Sequence, residues 1–344
     1  MKFIHDIDRA SFIVILYFSM LLCVLPIMQS CSNDDYEVEL SEPILPNIGV
    51  EGADVLYRDS LRILDIGNSY SYDGMRYLGN VIEAMNISLP TVCLYQMVRG
   101  GASICDWYNC YFGKDEAEFS IHKVVGGMSL DIPTGTFDPF DNTTFSKILD
   151  QEWDLIILHQ ASEYAINAKS WNSKSLAGCL PKFMSLLKQR QEHAVFAFTV
   201  IHSYSSDYEK NEFKSSYERW QKIVANVDIM LESYPVIQLI VPYGTAIEKL
   251  RSTNVNNSFD LTRDGTHLGY GLPLYTASLC YYETLIAPRI GKSIQGQNFT
   301  YKCTPSEQKG SFFPSSFIDV TSDNVQLAIS AVLEACRDYK RIYN

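Results

Sequence analysis

The sequence predicts an α/β fold in which a roughly five-stranded parallel sheet lies between layers of helices. Three observations carry that expectation. Strand-like and helix-like segments alternate five times along the 344-residue chain, at spacings that allow right-handed crossovers. The strand-like runs lack polar alternation, as strands buried on both faces do. Small polar residues that could do chemistry follow directly after those runs, where parallel sheets place their ligands.

In chain order, a Pro- and Gly-punctuated linker, "SEPILPNIGVEGADVLYRDS", leads into the first strand, Leu61 to Ile66. "YDGMRYLGNVIEAM" carries Met75, Leu78, Ile82 and Met85 at helical spacing. Thr91 to Val98 is the second strand and "SICDWYNCYF" a short helix. Residues 113–144 break the rhythm with Gly, Pro and Asp and read as an insertion built on a small hairpin. Trp153 to Leu158 is the third strand, and Leu176 to Gln191 a helix with Pro181 in its early turns or ending a preceding one. "AVFAFTVI", "ERWQKIVANVDIMLES", "PVIQLIVPYG" and "GTAIEKL" give strand, helix, strand, helix. Tyr270 to Ala287 and Val325 to Arg337 complete the helices.

Ahead of this domain, residues 1–30 have a short charged start, an apolar stretch from Ala10 to Met28 and small residues before Cys31. That is the architecture of an export signal; an uncleaved signal anchor is the alternative. "MQSCS" resembles a lipobox, which implies a mature, lipidated N-terminus at Cys31. Residues 31–60 then form a tether and linker, and the acidic run after Cys31 resembles the signal that routes some Gram-negative lipoproteins to the cell surface. The expected location is therefore exported and lipid-anchored in the outer membrane, on its periplasmic or cell-surface side. The domain is expected to run from 61 to 344.

A formal net charge of −12, with no cluster of Lys and Arg, argues against nucleic-acid partners and against any membrane contact except a lipid anchor at Cys31. Cys93, Cys105, Cys110, Cys179, Cys280, Cys303 and Cys336 remain after the signal and lipid positions, an odd number. Cys179, Cys280 and Cys336 sit among apolar residues, where a free cysteine is usually a small hydrophobe. No CxxC pair or His/Cys cluster has metal-ligand spacing, so a zinc site has little support, and the acyl-transfer chemistry considered below needs no metal or organic cofactor.

Four stretches converge on the expected strand ends and one late loop: "GNSYS", "RGGAS", "HQASE" and "DLTRDGTHLGYG". Acyl transfer needs a hydroxyl nucleophile, an imidazole to take its proton, a carboxylate to orient that imidazole, and donors for the oxyanion. Ser69, His267 and Asp264 supply the first three. Ser69 also stands at a helix start, where backbone N–H groups face a developing negative charge. Each alone has a plainer reading, Ser69 as a helix cap and the other two as loop residues. Ser71 is the rival nucleophile.

"GNSYS" lacks the second glycine of G-x-S-x-G, so it is not the nucleophile elbow of α/β-hydrolases. It resembles block I of the SGNH (GDSL-type) hydrolases, with Gly67-Asn68-Ser69 in place of Gly-Asp-Ser, and Asp264-x-x-His267 resembles their last block. The resemblance spans Leu61 to Ala287 and implies a flavodoxin-like three-layer α/β/α fold and a serine esterase, often one that deacetylates carbohydrate. The implied substrate is an acylated carbohydrate or other small ester. It also implies an oxyanion hole from the Ser69 N–H, a glycine of "RGGAS" and a block III side chain. Gly101 is preferred over Gly100 for the glycine, and Gln160 stands where that family carries asparagine. That departure keeps a second reading open, a non-catalytic, surface glycan-binding lipoprotein on a degenerate hydrolase fold. A phosphate-cradling module is a third, which would have no use for Asp264 and His267. His159, Ser162 and His202 are further pocket candidates, although His159 reads equally as a core histidine. Trp107, Trp171 and Tyr164 could stack on sugar rings if they face the cleft, although aromatic residues near strand ends are more often core or rim packing.

Overall fold

A strand buried on both faces belongs in the middle of a sheet. β1 (Leu61–Gly67) pairs in parallel with β2 (Val92–Val98) on one side and β5 (Leu155–Leu158) on the other. This computed structural model describes residues 61–86, 92–112, 119–126, 135–137, 142–167, 179–310 and 316–340. The export signal, Cys31 and the tether lie outside those residues, as does Trp171. β6 (Val195–Thr199) and β7 (Ile237–Val241) continue the parallel sheet beyond β5. β3 (Phe119–Gly126) and β4 (Gly135–Phe137) form a hairpin within the 113–144 stretch. The hairpin extends the main sheet antiparallel to β2, giving the order β4-β3-β2-β1-β5-β6-β7.

Helices cover both faces, in a three-layer α/β/α arrangement. α1 (Ser69–Gly74), α2 (Leu78–Ala84), α7 (Tyr243–Arg251) and α11 (Val325–Arg337) pack around α8 (Leu272–Leu285). α8 is apolar on nearly every side and almost wholly buried, as a helix surrounded by others must be. α3 (Ile104–Tyr111) packs on α4 (Asn142–Leu149) and α5 (Cys179–Arg190). The long α6 (Ser216–Ser233) connects β6 to β7, and two short helices, α9 (Ala287–Ile290) and α10 (Pro305–Lys309), follow α8.

Two sequence expectations need correction here. The helical stripe over 72–85 is not one helix, because Ser278 of α8 enters the backbone between α1 and α2. Its hydroxyl donates to the Gly74 carbonyl at 3.0 Å and accepts from the Tyr77 N–H at 3.0 Å, satisfying groups that a continuous helix would have paired internally. Cys179 is not a free hydrophobe either. It forms a disulfide with Cys105, Cα to Cα 5.0 Å, which ties α5 to α3. Cys280 is buried, whereas Cys336 is exposed.

Gly67 ends β1 because no side chain fits there. A Cβ at this position would overlap the Ser71 side chain and press on the His159 ring. Gly67→Ala is therefore expected to cost roughly 1–3 kcal/mol, the usual range for overpacking. A midpoint in urea unchanged from wild type would show that the turn has more room than the structure gives it.

Candidate active site

β1 delivers its C-terminal end to a helix start, and the cap residue decides what faces outward. Asn68 Oδ1 accepts from the Tyr70 N–H at 2.9 Å, while its Nδ2 donates to the Ala102 carbonyl at 3.0 Å. The same residue thus caps α1 and binds the loop after β2. Ser69 is the first residue of α1 and lines a cavity. Ser71, the rival nucleophile, is fully buried and donates its hydroxyl to the Asn68 carbonyl at 2.8 Å, which removes it from contention.

The late loop brings the other two groups to Ser69. His267 Nε2 lies 3.0 Å from Ser69 Oγ, and His267 Nδ1 lies 2.7 Å from Asp264 Oδ2. Asp264 Oδ1 accepts from the Thr266 and His267 N–H groups at 2.9 and 2.7 Å, and from the Thr266 hydroxyl. Partial burial alone would raise the Asp264 pKa. The hydrogen bonds from His267 and Thr266 and the charge of His267 outweigh it and hold the carboxyl well below the usual carboxylate range. Beneath this loop His202 Nε2 bonds to the Thr266 carbonyl at 2.7 Å, and the Tyr70 ring stacks on His202 at 4.3 Å. Tyr70 also donates its hydroxyl to the Thr266 carbonyl at 2.7 Å. Burial pushes the His202 pKa well below its ordinary value, with the Arg251 charge adding to the effect. His202 is thus a buried support of the loop and not a rim residue.

Of the expected oxyanion donors, Ser69 and Gly101 both line the cavity and Gly100 does not. Gly101 has φ +69°, backbone that glycine adopts without strain. Gln160 is buried and is not among the lining residues. Its Oε1 accepts from the Ile104 and Ala161 N–H groups at 3.2 and 2.9 Å. Since both neighbours are donors, the amide must face them with its oxygen, which turns Nε2 the other way.

The cavity, about 250 Å³, is also lined by Ser162, Glu163, Tyr204 and Thr266. Tyr204 escaped the sequence reading because nothing in "VIHSYSS" marks which residue turns inward. His159 is a core residue, fully buried with Nε2 2.7 Å from Asp65 Oδ1. Trp107 does not stack on a ligand, since it is buried with Nε1 donating to the Gly67 carbonyl at 3.1 Å.

Fold and site together define a parallel-sheet α/β protein with a Ser–His–Asp hydrogen-bond chain at the C-terminal edge of its sheet. Residues 62–302 match the family model described as domain of unknown function DUF4886, and the chain belongs to that family. A crystal structure of a DUF4886 family protein from Bacteroides uniformis is similar in fold. Its TM-score is 0.61 at 21% identity, and the match covers 83% of this chain and 98% of that one. A protein from Slackia heliotrinireducens, provisionally assigned as an SGNH hydrolase, is more distant. It has TM-score 0.41 and 13% identity, with 66% of this chain and 99% of that one covered. None of the curated proteins compared matches the sequence.

The depressed Asp264 pKa has a stability consequence. A carboxyl whose folded pKa lies below its unfolded value, about 3.9, stabilises the fold fully above that value and progressively less as pH falls towards the folded one. The stability advantage of wild type over Asp264→Asn is therefore expected to be complete above about pH 4 and to shrink below it. Urea midpoints of both proteins at pH 6 and pH 3 measure this, and a difference independent of pH would contradict it.

Proposed function

We propose that the protein is a serine esterase of the SGNH type that removes acetyl or other short acyl groups from carbohydrate. The reading is carried by the unbroken chain from Ser69 Oγ through His267 to Asp264, at 3.0 and 2.7 Å, on the wall of a cavity. His267 Nε2 takes the Ser69 proton as Oγ attacks the ester carbonyl, while Asp264 holds the imidazole orientation and stabilises its charged form. The tetrahedral oxyanion is received by the Ser69 and Gly101 N–H groups, both on the cavity wall, and Gln160, expected as a third donor, lies behind that wall. Collapse breaks the ester C–O bond, and His267 returns its proton to the leaving alcohol. Water, deprotonated by His267, then attacks the acyl-serine, and the carboxylic acid departs as Ser69 regains its proton.

The cavity is compatible with short acyl groups. An engineered apolar cavity of about 150 Å³ holds a benzene molecule, so about 250 Å³ has room for an acetyl group and part of a sugar ring. Tyr70, Ser162 and Tyr204 also line it, the Tyr70 hydroxyl held by the Thr266 carbonyl and the other two hydroxyls by each other.

Wild-type protein is expected to label with a fluorophosphonate probe and to release acetate from acetylated xylan or pectin. Ser69→Ala should abolish both, and His267→Ala should lower turnover by roughly 10²–10⁴. If wild type neither labels nor hydrolyses any short-chain nitrophenyl ester, the glycan-binding reading replaces this one.

The same proposal places the enzyme outside the cytoplasm, with residues 1–30 removed and Cys31 lipidated in the outer membrane. Metabolic labelling with a palmitate analogue, present in wild type and lost in Cys31→Ala, is the expected result. Labelling that survives the substitution would exclude Cys31 as the anchor.

A further inference from the structure

Behind one wall of the cavity lies a buried cation. Arg219 of α6 is 2% exposed, its Nη2 donates to the Ser162 carbonyl at 2.9 Å, and its guanidinium carbon sits 3.7 Å from the centre of the Tyr204 ring. Its Nε has no acceptor, and among the described residues it forms no ion pair with a carboxylate. The carboxylate whose charge reaches it, Glu212, is exposed and screened by water. Proteins seldom bury a charge without a nearby counter-charge, because the lost hydration is not recovered. Cation–π contacts with the Tyr204 and Phe213 rings, at 3.7 and 5.9 Å, and one carbonyl recover part of it.

Between that charge and the cavity stand Ser162 and Tyr204, whose hydroxyls are 2.8 Å apart and which both line the space beside Ser69. Two hydroxyls held in place by a buried guanidinium form an anion-receiving surface, since the positive field acts through low-dielectric protein and not through water. Glu163 also lines the cavity, but it is exposed, so solvent weakens its opposing field.

We propose that this wall is an anion subsite, and that the substrate carries a carboxylate which seats against the Ser162 and Tyr204 hydroxyls in the field of Arg219. The substrate class is then an ester with an acidic group close to the scissile bond. The carboxylate can belong to the acyl half, as in a succinyl ester, or to the alcohol half, as in an acetylated uronate. Arg219 is a positioning residue, holding the Ser162 carbonyl and the Tyr204 ring and supplying charge from behind them. The choice of substrate rests on the esterase reading, whereas anion binding does not.

Calorimetry on the intact protein tests the subsite directly. Wild type is expected to bind succinate at least tenfold more tightly than butanamide, or glucuronate at least tenfold more tightly than glucose, and which pair responds tells the acyl half from the alcohol half. In turnover, 4-nitrophenyl hydrogen succinate is compared with 4-nitrophenyl butyrate, and acetylated glucuronate with acetylated glucose. The charged member of the responding pair should show the lower KM. Arg219→Met should remove that preference and Arg219→Lys restore part of it, which a purely structural role for Arg219 would not produce. Tyr204→Phe, which keeps the ring over Arg219, should weaken anion binding, and it provides a second variant if Arg219→Met does not fold. Equal or better binding of both neutral compounds by wild type, or a preference that survives in folded Arg219→Met or Tyr204→Phe, would overturn the proposal. Anion binding without turnover of any ester would sink the esterase reading and leave the subsite standing.

Discussion

Four neighbouring strands of this sheet are tied together by one buried polar knot centred on the Asp65 carboxylate. Asp65 of β1 accepts from Gln96 of β2 at 3.2 Å and lies 2.7 Å from the ring of His159, the residue after β5. The hydroxyls of Thr199, at the end of β6, and Tyr281, on α8, approach the same ring nitrogen at 3.3 Å. A buried polar group is costly without partners and restrictive with them, so the knot admits few alternative registers. It sits one layer beneath the edge where Ser69 emerges. Gln96 also donates to the Ser71 carbonyl at 2.8 Å, so the helix that begins with Ser69 is fastened to the same knot.

The Asp–His loop has its own foundation. Asp260 and Leu261 adopt φ of +47° and +61°, conformations that cost non-glycine residues about 1–3 kcal/mol each. Such backbone persists only where its surroundings dictate it. Asp260 accepts from the Ser206 N–H at 2.7 Å, its carbonyl accepts from Arg251 Nε at 2.8 Å, and the Leu261 side chain is fully buried. These contacts fix where the turn starts. The Asp264 carboxylate then needs only its own following N–H groups to set the His267 ring, and the Thr266 carbonyl rests on Tyr70 and His202. The strain sits next to the site, at the point where the chain must leave a helix and return to the sheet edge.

What the sequence revealed follows the range of the interactions involved. The parallel strands were legible because burial on both faces leaves an apolar run, and Asp264-x-x-His267 because its geometry closes within four residues. Ser69 was legible only jointly with that pair. Cys179 was misread because its partner Cys105 is 74 residues away and its apolar neighbours are the same whether or not it is bonded. The break between α1 and α2 depends on a hydroxyl from α8, which no helical stripe can register. Trp107 was open to a sugar-stacking reading as well as a packing one, because an aromatic side chain near a strand end carries no sign of its direction. Tyr204 and Arg219 come from a loop and a helix that meet only in the folded chain.

Gln160 shows how a departure from a motif can be accommodated. An asparagine at this position would be one methylene shorter, and its oxygen would not reach both the Ile104 and Ala161 N–H groups in the same pose. With glutamine, the Oε1 holds the first turn of α3, directly after the loop that carries Gly101 and the Ser103 cap. Asn68 reaches the same loop through the Ala102 carbonyl and also donates to the Gln160 carbonyl at 3.5 Å. The backbone that follows Gly101 is therefore anchored at Ala102 and Ile104 by two neighbouring side-chain amides, one from the end of β1 and one from the end of β5. Stiffness of that kind matters for an oxyanion donor, whose benefit comes from being in place before charge develops. In the proposed reaction Gln160 acts by holding the neighbouring donor still.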